Sequence, residues 1–430
     1  MSGSRNLLGL DYASPGDGVP LLRAGGPGGR EPVMVPVSGG LVAGVWLAPL
    51  RDAGLRPGGA RSLREVVMGS SGTGTLDEAY QRLHATGPEF DGWLSNHGPM
   101  AAEAMVRRGH AGQVHRWLDG YMRRLEEFPR GSGPIGSAWQ DALGDPRRIA
   151  DWTGYFDREV TGQPWRQVLD TWWPRLLPGV AAAATHGVIR VGHAVRALTE
   201  DGEDADHLTE LAHGLAYWAA RWQPVPGAPA AGPLPVTAAA GEPAGAAAAA
   251  ADPLAAVPRI ADQSGGIRER LAQLAELPGW PAALAAPQIP ASAEALRSWL
   301  AGLVDAATIR YLRYGHGEST MLVHSATAPN AVLRTLPVLD RRLWAPSVAA
   351  SWAAAAALTA IYTPAAPAAQ TELPDSPAGP QAVQETFAQA VEHGDEHVIK
   401  FADTAADVYA RTGNADALAA AVRAAQLIGR

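Results

Sequence analysis

The chain lacks cysteine and carries a single lysine, and each shortage restricts its chemistry. Without cysteine among its 430 residues, disulfides, thiolate zinc sites and cysteine nucleophiles are excluded. Any bound metal must therefore be held by nitrogen and oxygen ligands. Apart from histidine, the basic side chains are thirty-four arginines and Lys400. Arginine keeps its charge, whereas a desolvated lysine can become neutral and then act as a nucleophile or accept CO2 as a carbamate.

Charged side chains are also scarce. They make up 18% of the chain with a net charge of −8, which leaves no basic surface for a nucleic-acid backbone.

The start of the chain lacks the basic-then-apolar order of a secretory signal. The most apolar N-terminal run, residues 33–50, is broken by two prolines and several glycines, so no membrane span is expected there. We expect a soluble, cytoplasmic protein.

Helix-type periodicity dominates the rest of the sequence. Apolar residues recur near every 3.6 positions from about residue 75 onward, and alternating strand-type segments are nearly absent. The sequence therefore predicts an all-α protein, a compound multi-helix bundle. We expect a Gly/Pro-rich, low-complexity extension over residues 1–72 and one helical domain over 73–430. An Ala/Pro/Gly-rich linker, residues 223–259, interrupts that domain.

The stretch REVVMGSSGTGTLDEAY, residues 64–80, allows two interpretations. It has the general form of a strand, a glycine-rich turn and a helix start, as in a dinucleotide-binding site. Its glycines follow GxxGxG rather than GxGxxG, and no second strand with an acidic end follows. We favour the simpler interpretation, a helix that begins with Thr75 as its cap.

Several histidines interrupt apolar helical segments. In ATHGVIRVGHAVRAL, residues 184–198, His186 and His193 share a helix face with Arg190 between them. His97 directly precedes a helical segment, and His324 lies within the apolar run TMLVHSATAPNAVL. Each of these histidines alone fits an ordinary hydrogen-bonded core residue or helix cap.

The lone lysine is one helical turn after a histidine. His397 and Lys400 are three residues apart, so their side chains can reach one centre. The alternative is a solvated helix start, because Glu392, Asp395 and Glu396 make this segment acidic.

Four histidines on four separate helical segments together predict a metal site in the core of the bundle. Imidazole suits iron, copper, nickel and zinc, but four neutral ligands leave the charge of the cation uncompensated. A carbamate on Lys400 would supply the missing carboxylate. An unmodified ammonium there would repel the metal.

Four segments resemble the bacterial branch of the questin oxidase-like family. They are LDEAYQRLHATGPEFDGWLSNHGPMAAEAMVRRG, LLPGVAAAATHGVIRVGHAVRAL, LAYWAARW and GDEHVIKFADTA, and the resemblance covers about residues 75–430. Fungal members of the family open anthraquinone rings during polyketide biosynthesis, with a Baeyer–Villiger-type or ring-cleaving dioxygenase outcome.

The resemblance implies a non-haem Fe(II) oxygenase that uses O2 on an aromatic polyketide substrate. By motif, the implied metal ligands are His97, His186, His324, His397 and a carboxylated Lys400. No flavin fingerprint is visible, so NADPH, where required, is expected to act as an external reductant.

One departure from the family pattern concerns the histidine-rich helix. Where fungal members carry a second histidine, this chain has Arg190, with His193 further on. We expect Arg190 to pair with a phenolate or another oxygen anion, and His193 to be a reserve ligand or a base. Two alternatives stay open at this point: a metal-independent enzyme that depends on Lys400, and a non-catalytic helical protein that binds an aromatic metabolite.

Overall fold

The computed structural model describes residues 63–228 and 252–429, and there the chain is all-α, as predicted. Its one sheet in these residues is a two-stranded antiparallel hairpin, β1 (Glu89–Phe90) and β2 (Leu94–Ser95). The α-helices are α1 (Leu63–His84), α2 (Gly98–Arg107), α3 (Ala111–Tyr121), α4 (Ile149–Gly162), α5 (Trp165–Leu176), α6 (His186–Glu200), α7 (Ala205–Ala220), α8 (Ile267–Ala272), α9 (Trp280–Ala285), α10 (Ala293–Tyr314), α11 (Ser319–Leu322), α12 (His324–Thr335), α13 (Trp344–Tyr362), α14 (Ala382–His393), α15 (Glu396–Thr412) and α16 (Asp416–Leu427).

Helices α2, α6, α12 and α15 form a closed ring at the centre, in which each packs against the next. The remaining long helices surround this ring. Helices α1 and α3 pack on α2, α7 packs on α6, α10 and α13 pack on α12, and α14 and α16 pack on α15. The central helices are consequently shielded from water, and α6 is buried from His186 to Leu198.

Small residues let the central helices approach closely. A Cβ atom added at Gly192 of α6 would lie 2.6 Å from Cβ of Ala331 in α12, closer than real Cβ contacts. Only glycine at this position permits the observed separation of the two helices.

Helix α13 lies in a long apolar stretch. Residues Arg341–Tyr362 have the length and composition of a membrane span, but about 78% of the most apolar part is buried inside the protein. This is the environment of a core helix.

Two sequence expectations about the N-terminal part need correction. Helix α1 begins at Leu63, so the predicted boundary after residue 72 falls inside a helix, and Thr75 is an interior residue rather than the cap. Because the glycine-rich stretch of residues 69–74 is helical as well, the dinucleotide-turn alternative is wrong. Continuation of the turn-by-turn hydrogen bonding of α1 outweighs the low helix propensity of these glycines. Residues 1–62 of the predicted extension and 229–251 of the predicted linker lie outside the described residues.

Candidate metal centre

Four helix beginnings meet at the centre of the ring, and each carries a histidine. His97 is the N-cap of α2, His186 and His324 are the first residues of α6 and α12, and His397 is the second residue of α15. We call these four residues the histidine cluster. Local sequence explains two of the starts: Pro99 lies in the first turn of α2, and the Asp395 side chain caps α15 by accepting hydrogen bonds from the His397 and Val398 backbone nitrogens.

The nitrogens of the four imidazoles lie close enough together to bind one metal ion. Nε2 of His186 lies 2.7 Å from Nε2 of His97 and 2.9 Å from Nε2 of His324. One nitrogen from each of the four rings, His397 included, falls within 4.8 Å of the others. All four residues are buried. Four residues far apart in sequence thus converge at one point.

The hydrogen bonds of two rings determine which nitrogen carries the proton. His186 Nδ1 contacts the Ala183 carbonyl oxygen, and His324 Nδ1 lies 3.1 Å from the Met321 carbonyl oxygen. A carbonyl oxygen only accepts, so in both rings Nδ1 is the donor and a neutral ring has its lone pair on Nε2. The two Nε2 lone pairs therefore face each other with no proton between them. This arrangement is repulsive unless a cation lies between the nitrogens.

Burial keeps these rings neutral. Desolvation lowers the pKa of His97, His186 and His324 well below the ordinary histidine value, and the nearby Lys400 and neighbouring imidazoles lower it further. The neutral ring is the form that binds metals, so protons compete weakly for these nitrogens near neutral pH.

Lys400 is buried beside the cluster, with 1% of its surface exposed. Its Nζ has no hydrogen-bond partner among the described residues. Burial lowers its pKa to about 7, against the opposing effect of the Glu396 and Asp395 carboxylates. The alternative of a solvated helix start is therefore wrong, because the first turns of α15 face the protein interior.

Sequence reasoning missed two groups that lie next to His97. Glu396 Oε1 lies 3.6 Å from His97 Nδ1, and its other oxygen accepts a 2.7 Å hydrogen bond from Arg124. The Tyr121 hydroxyl accepts a 2.6 Å hydrogen bond from the His97 backbone nitrogen. An acidic residue directly before His397 was the available signal for Glu396. Nothing in the sequence pairs Tyr121 with residue 97.

The structure places Arg190 and His193 differently from the sequence expectation. Arg190 donates from Nε and Nη2 to Glu210, at 2.6 and 2.7 Å, so its guanidinium is occupied by a buried carboxylate rather than available to a substrate oxygen. His193 donates from Nδ1 to Glu103 Oε2 at 2.7 Å and belongs to no group of potential metal ligands in the described residues. Seven residues of helix put it about 10 Å along the axis from His186.

A second buried group lies one to three turns further along the same helices. We call Glu103, His193, Arg196, Arg334 and Asp403 the ion-pair layer. Arg196 contacts both Glu103 and Asp403, and Arg334 donates to Asp403 at 2.6 Å. Because the histidine cluster lies at the beginnings of α2, α6, α12 and α15 and the ion-pair layer lies further on, the four helices run in the same direction.

Parallel helices bring four positive helix ends to the histidine cluster. These ends disfavour a bare cation and favour an anion. The donor set nevertheless fits a first-row transition metal, since imidazole suits iron, copper, nickel and zinc. Ligands about 2.1 Å from one metal and at right angles to each other are about 3.0 Å apart, close to the observed Nε2 separations. An anionic ligand would offset part of this positive charge.

The sequence matches no protein-family model, and no curated protein matches it. The resemblance to the questin oxidase-like family therefore remains a prediction carried by the motifs around the histidine cluster.

Proposed function

We propose that the chain is a non-haem iron, O2-dependent oxygenase that opens a ring of an anthraquinone-like aromatic polyketide, acting in the cytoplasm. The metal part of the proposal rests on one observation: the unprotonated Nε2 atoms of His186 and His324 face each other 2.9 Å apart in the protein interior. The substrate class and the choice of iron rest on the family resemblance.

Lys400 is the proposed source of the anionic ligand. Carbamate formation needs a neutral amine, and a pKa of about 7 makes that form abundant near neutral pH. The single negative charge of the carbamate would offset part of the metal charge and of the four positive helix ends. The Nζ atom has no hydrogen-bond partner among the described residues, so no protein contact occupies the amine that CO2 would add to.

The surrounding residues hold the ligands in place. The Ala183 and Met321 carbonyls keep the protons of His186 and His324 on Nδ1, which aims both lone pairs at the centre. Ferrous iron, when bound, supplies the redox chemistry that lets O2 react with an aromatic substrate. Where NADPH is needed, we place its reaction outside this site, as reduction of the quinone before it binds.

Metal analysis tests the proposal directly. Protein purified under reducing conditions should contain about one iron per chain by mass spectrometry, and His186→Ala should reduce this to a small fraction. His316→Ala removes an exposed histidine outside the cluster and should keep the iron. Lys400→Arg should fold and lose iron, because a guanidinium forms no carbamate. Full iron in Lys400→Arg would refute the carbamate ligand.

A second candidate is favoured by Lys400 itself. A buried, largely neutral amine without a hydrogen-bond partner in the described chain is also what a metal-independent Schiff-base enzyme requires. Active protein free of metal, with borohydride trapping of a carbonyl substrate on Lys400, would support this enzyme over the oxygenase. Metal-free protein that binds an aromatic ligand without turnover would instead indicate a binding protein.

A further inference from the structure

A second group of potential metal ligands lies where α1 packs against α7. It consists of Asp77 of α1, Asp204 as the N-cap of α7 and His207 in the first turn of α7. One ligand atom from each of the three residues lies within 4.8 Å of the others. We call these residues the α1–α7 site. None of them belongs to the histidine cluster.

His207 is fully buried and directs an unpartnered nitrogen at Asp77. Its Nδ1 lies 2.9 Å from the Gly202 carbonyl oxygen and 3.1 Å from Asp204 Oδ2. A carbonyl and a carboxylate only accept, so Nδ1 carries the proton and the lone pair of a neutral ring is on Nε2. Nε2 lies 3.3 Å from Asp77 Oδ1, and neither atom has a hydrogen-bond partner among the described residues. Two buried acceptors therefore face each other, an arrangement that a cation between them would stabilise.

Negative charge accumulates around Asp77. In the part of the chain that the structure describes, Asp77, Asp204 and Asp206 form no ion pair with an arginine. Burial, followed by neighbouring carboxylates, raises the pKa of Asp77 against the opposing effect of His207. These carboxylates belong to Asp204, Asp206 and Asp201. The positive beginning of α7 disfavours a cation, but it carries about half an elementary charge against a full charge on each aspartate.

The spacing and the donor types fit a divalent transition-metal ion. Ligands about 2.0–2.1 Å from a tetrahedral metal lie about 3.3–3.4 Å apart, which matches the 3.3 Å between His207 Nε2 and Asp77 Oδ1. Imidazole and carboxylate are ordinary zinc ligands, and a carbonyl partner at the other ring nitrogen is what orients a ligating histidine. The side chains of Asp77 and Asp204 are 28% and 39% exposed, so an ion can enter from solvent and keep a water as a further ligand.

We propose that Asp77, Asp204 and His207 bind a divalent metal ion, for which zinc is the best fit, and that this ion fixes α1 to α7. The ligands come from both helices, so a bound ion ties one helix to the other. The α1–α7 site is independent of the histidine cluster and of the oxygenase proposal.

Zinc content tests the site against a matched control. After incubation with excess zinc and removal of unbound metal, Asp77→Asn should retain one zinc per chain fewer than the wild type by mass spectrometry. Asp206→Asn removes the same charge at a neighbouring residue outside the α1–α7 site and should match the wild type. Because zinc can also enter the histidine cluster, the comparison is repeated in His186→Ala, where the difference of one zinc should persist.

Zinc bound between two helices should also stabilise the fold and be visible in crystals. Saturating zinc should raise the midpoint of thermal unfolding of His186→Ala by about 3 °C. Adding Asp77→Asn in the same background should abolish this rise. Crystals of the wild type soaked in zinc should show an anomalous peak between Asp77 and His207.

Equal zinc content in Asp77→Asn and the wild type, or zinc peaks only elsewhere, would overturn the proposal. His207 would then be a protonated ring paired with Asp77. If Asp77→Asn fails to fold, Asp204→Asn takes its place, because asparagine caps a helix about as well as aspartate. The oxygenase proposal is tested by iron at the histidine cluster, so either proposal can fail without the other.

Discussion

The histidine cluster and the ion-pair layer lie on the same four helices and are both largely buried, but their polar atoms are satisfied to different degrees. In the ion-pair layer, Glu103 and Asp403 each accept from more than one cationic or imidazole group. In the histidine cluster, unprotonated nitrogens face each other and the Lys400 Nζ has no hydrogen-bond partner in the described chain. One region is complete with protein atoms alone, whereas the other leaves nitrogen lone pairs and an amine without partners in the described chain.

This difference separates two kinds of buried polar group that sequence patterns do not distinguish. Buried charges that cancel each other hold helices in register, although removing one partner leaves an uncompensated charge. Buried donors and acceptors that do not cancel identify a place for a ligand. Both kinds occur on α6, where His186 belongs to the cluster and His193 to the ion-pair layer.

The largest expected loss of stability comes from removing a carboxylate from the ion-pair layer. Asp403→Ala removes the carboxylate shared by Arg108, Arg196 and Arg334 and leaves buried guanidinium groups without their counterion. We expect a loss of about 3–5 kcal/mol in the free energy of unfolding, measured with denaturant. Asp407→Ala, at a more exposed carboxylate, is the control and should cost less. A loss under about 1 kcal/mol in Asp403→Ala would show that the layer contributes little to stability.

The buried amine of Lys400, beside the histidine cluster, should make the stability of metal-free, CO2-free protein depend on pH. Lys400 has a pKa of about 7 in the folded chain against 10.5 for an ordinary lysine, so between these values the unfolded state binds more protons. Stability must therefore rise with pH in this window. From pH 7 to 9 we expect a gain of about 2 kcal/mol.

The variant Lys400→Met isolates this contribution. It lacks the titrating amine, so its stability should be nearly flat between pH 7 and 9 and should exceed that of the metal-free wild type at pH 7. If the stability of the two proteins changes in parallel with pH, Lys400 is solvated rather than buried beside the histidine cluster.

Gly192 lies between the two regions along α6, and Gly192→Ala should disturb both. The added Cβ would be 2.6 Å from Cβ of Ala331, which forces α6 away from α12. We expect a stability loss of about 1–3 kcal/mol and weaker metal binding, because His186 and His324 begin these two helices. Gly302→Ala in α10 is the control, since its added Cβ meets no atom within 4 Å. Equal stability and metal affinity in the two variants would contradict the close contact.

The all-α fold and the convergence of the histidines were accessible from sequence for a physical reason. Helical periodicity is a local signal, and histidines embedded in apolar helical faces have to point inward. Lys400 was recognisable because lysine is otherwise absent, and its position three residues after His397 places both on one face.

The partners of each polar residue were not accessible in the same way. Arg190 is four residues after His186, which makes it resemble a site residue, but its carboxylate partner comes from α7, twenty positions later. The start of α1 was misplaced because the glycines at 69–74 resemble a turn, although the helix continues through them. Contacts between helices depend on packing distances, and residue spacing within one helix does not encode them.

The variant with the smallest expected loss of stability, His193→Gln, tests whether the histidine cluster and the ion-pair layer are separate. His193→Gln keeps an amide that can donate to Glu103, so the stability loss should be about 1 kcal/mol. Its iron content should equal that of the wild type, because residue 193 is two turns beyond His186 and outside the cluster. His186→Ala on the same helix gives the opposite result, loss of iron. Loss of iron from His193→Gln would restore His193 as a ligand, and the two regions would then have to be one site that rearranges when metal binds.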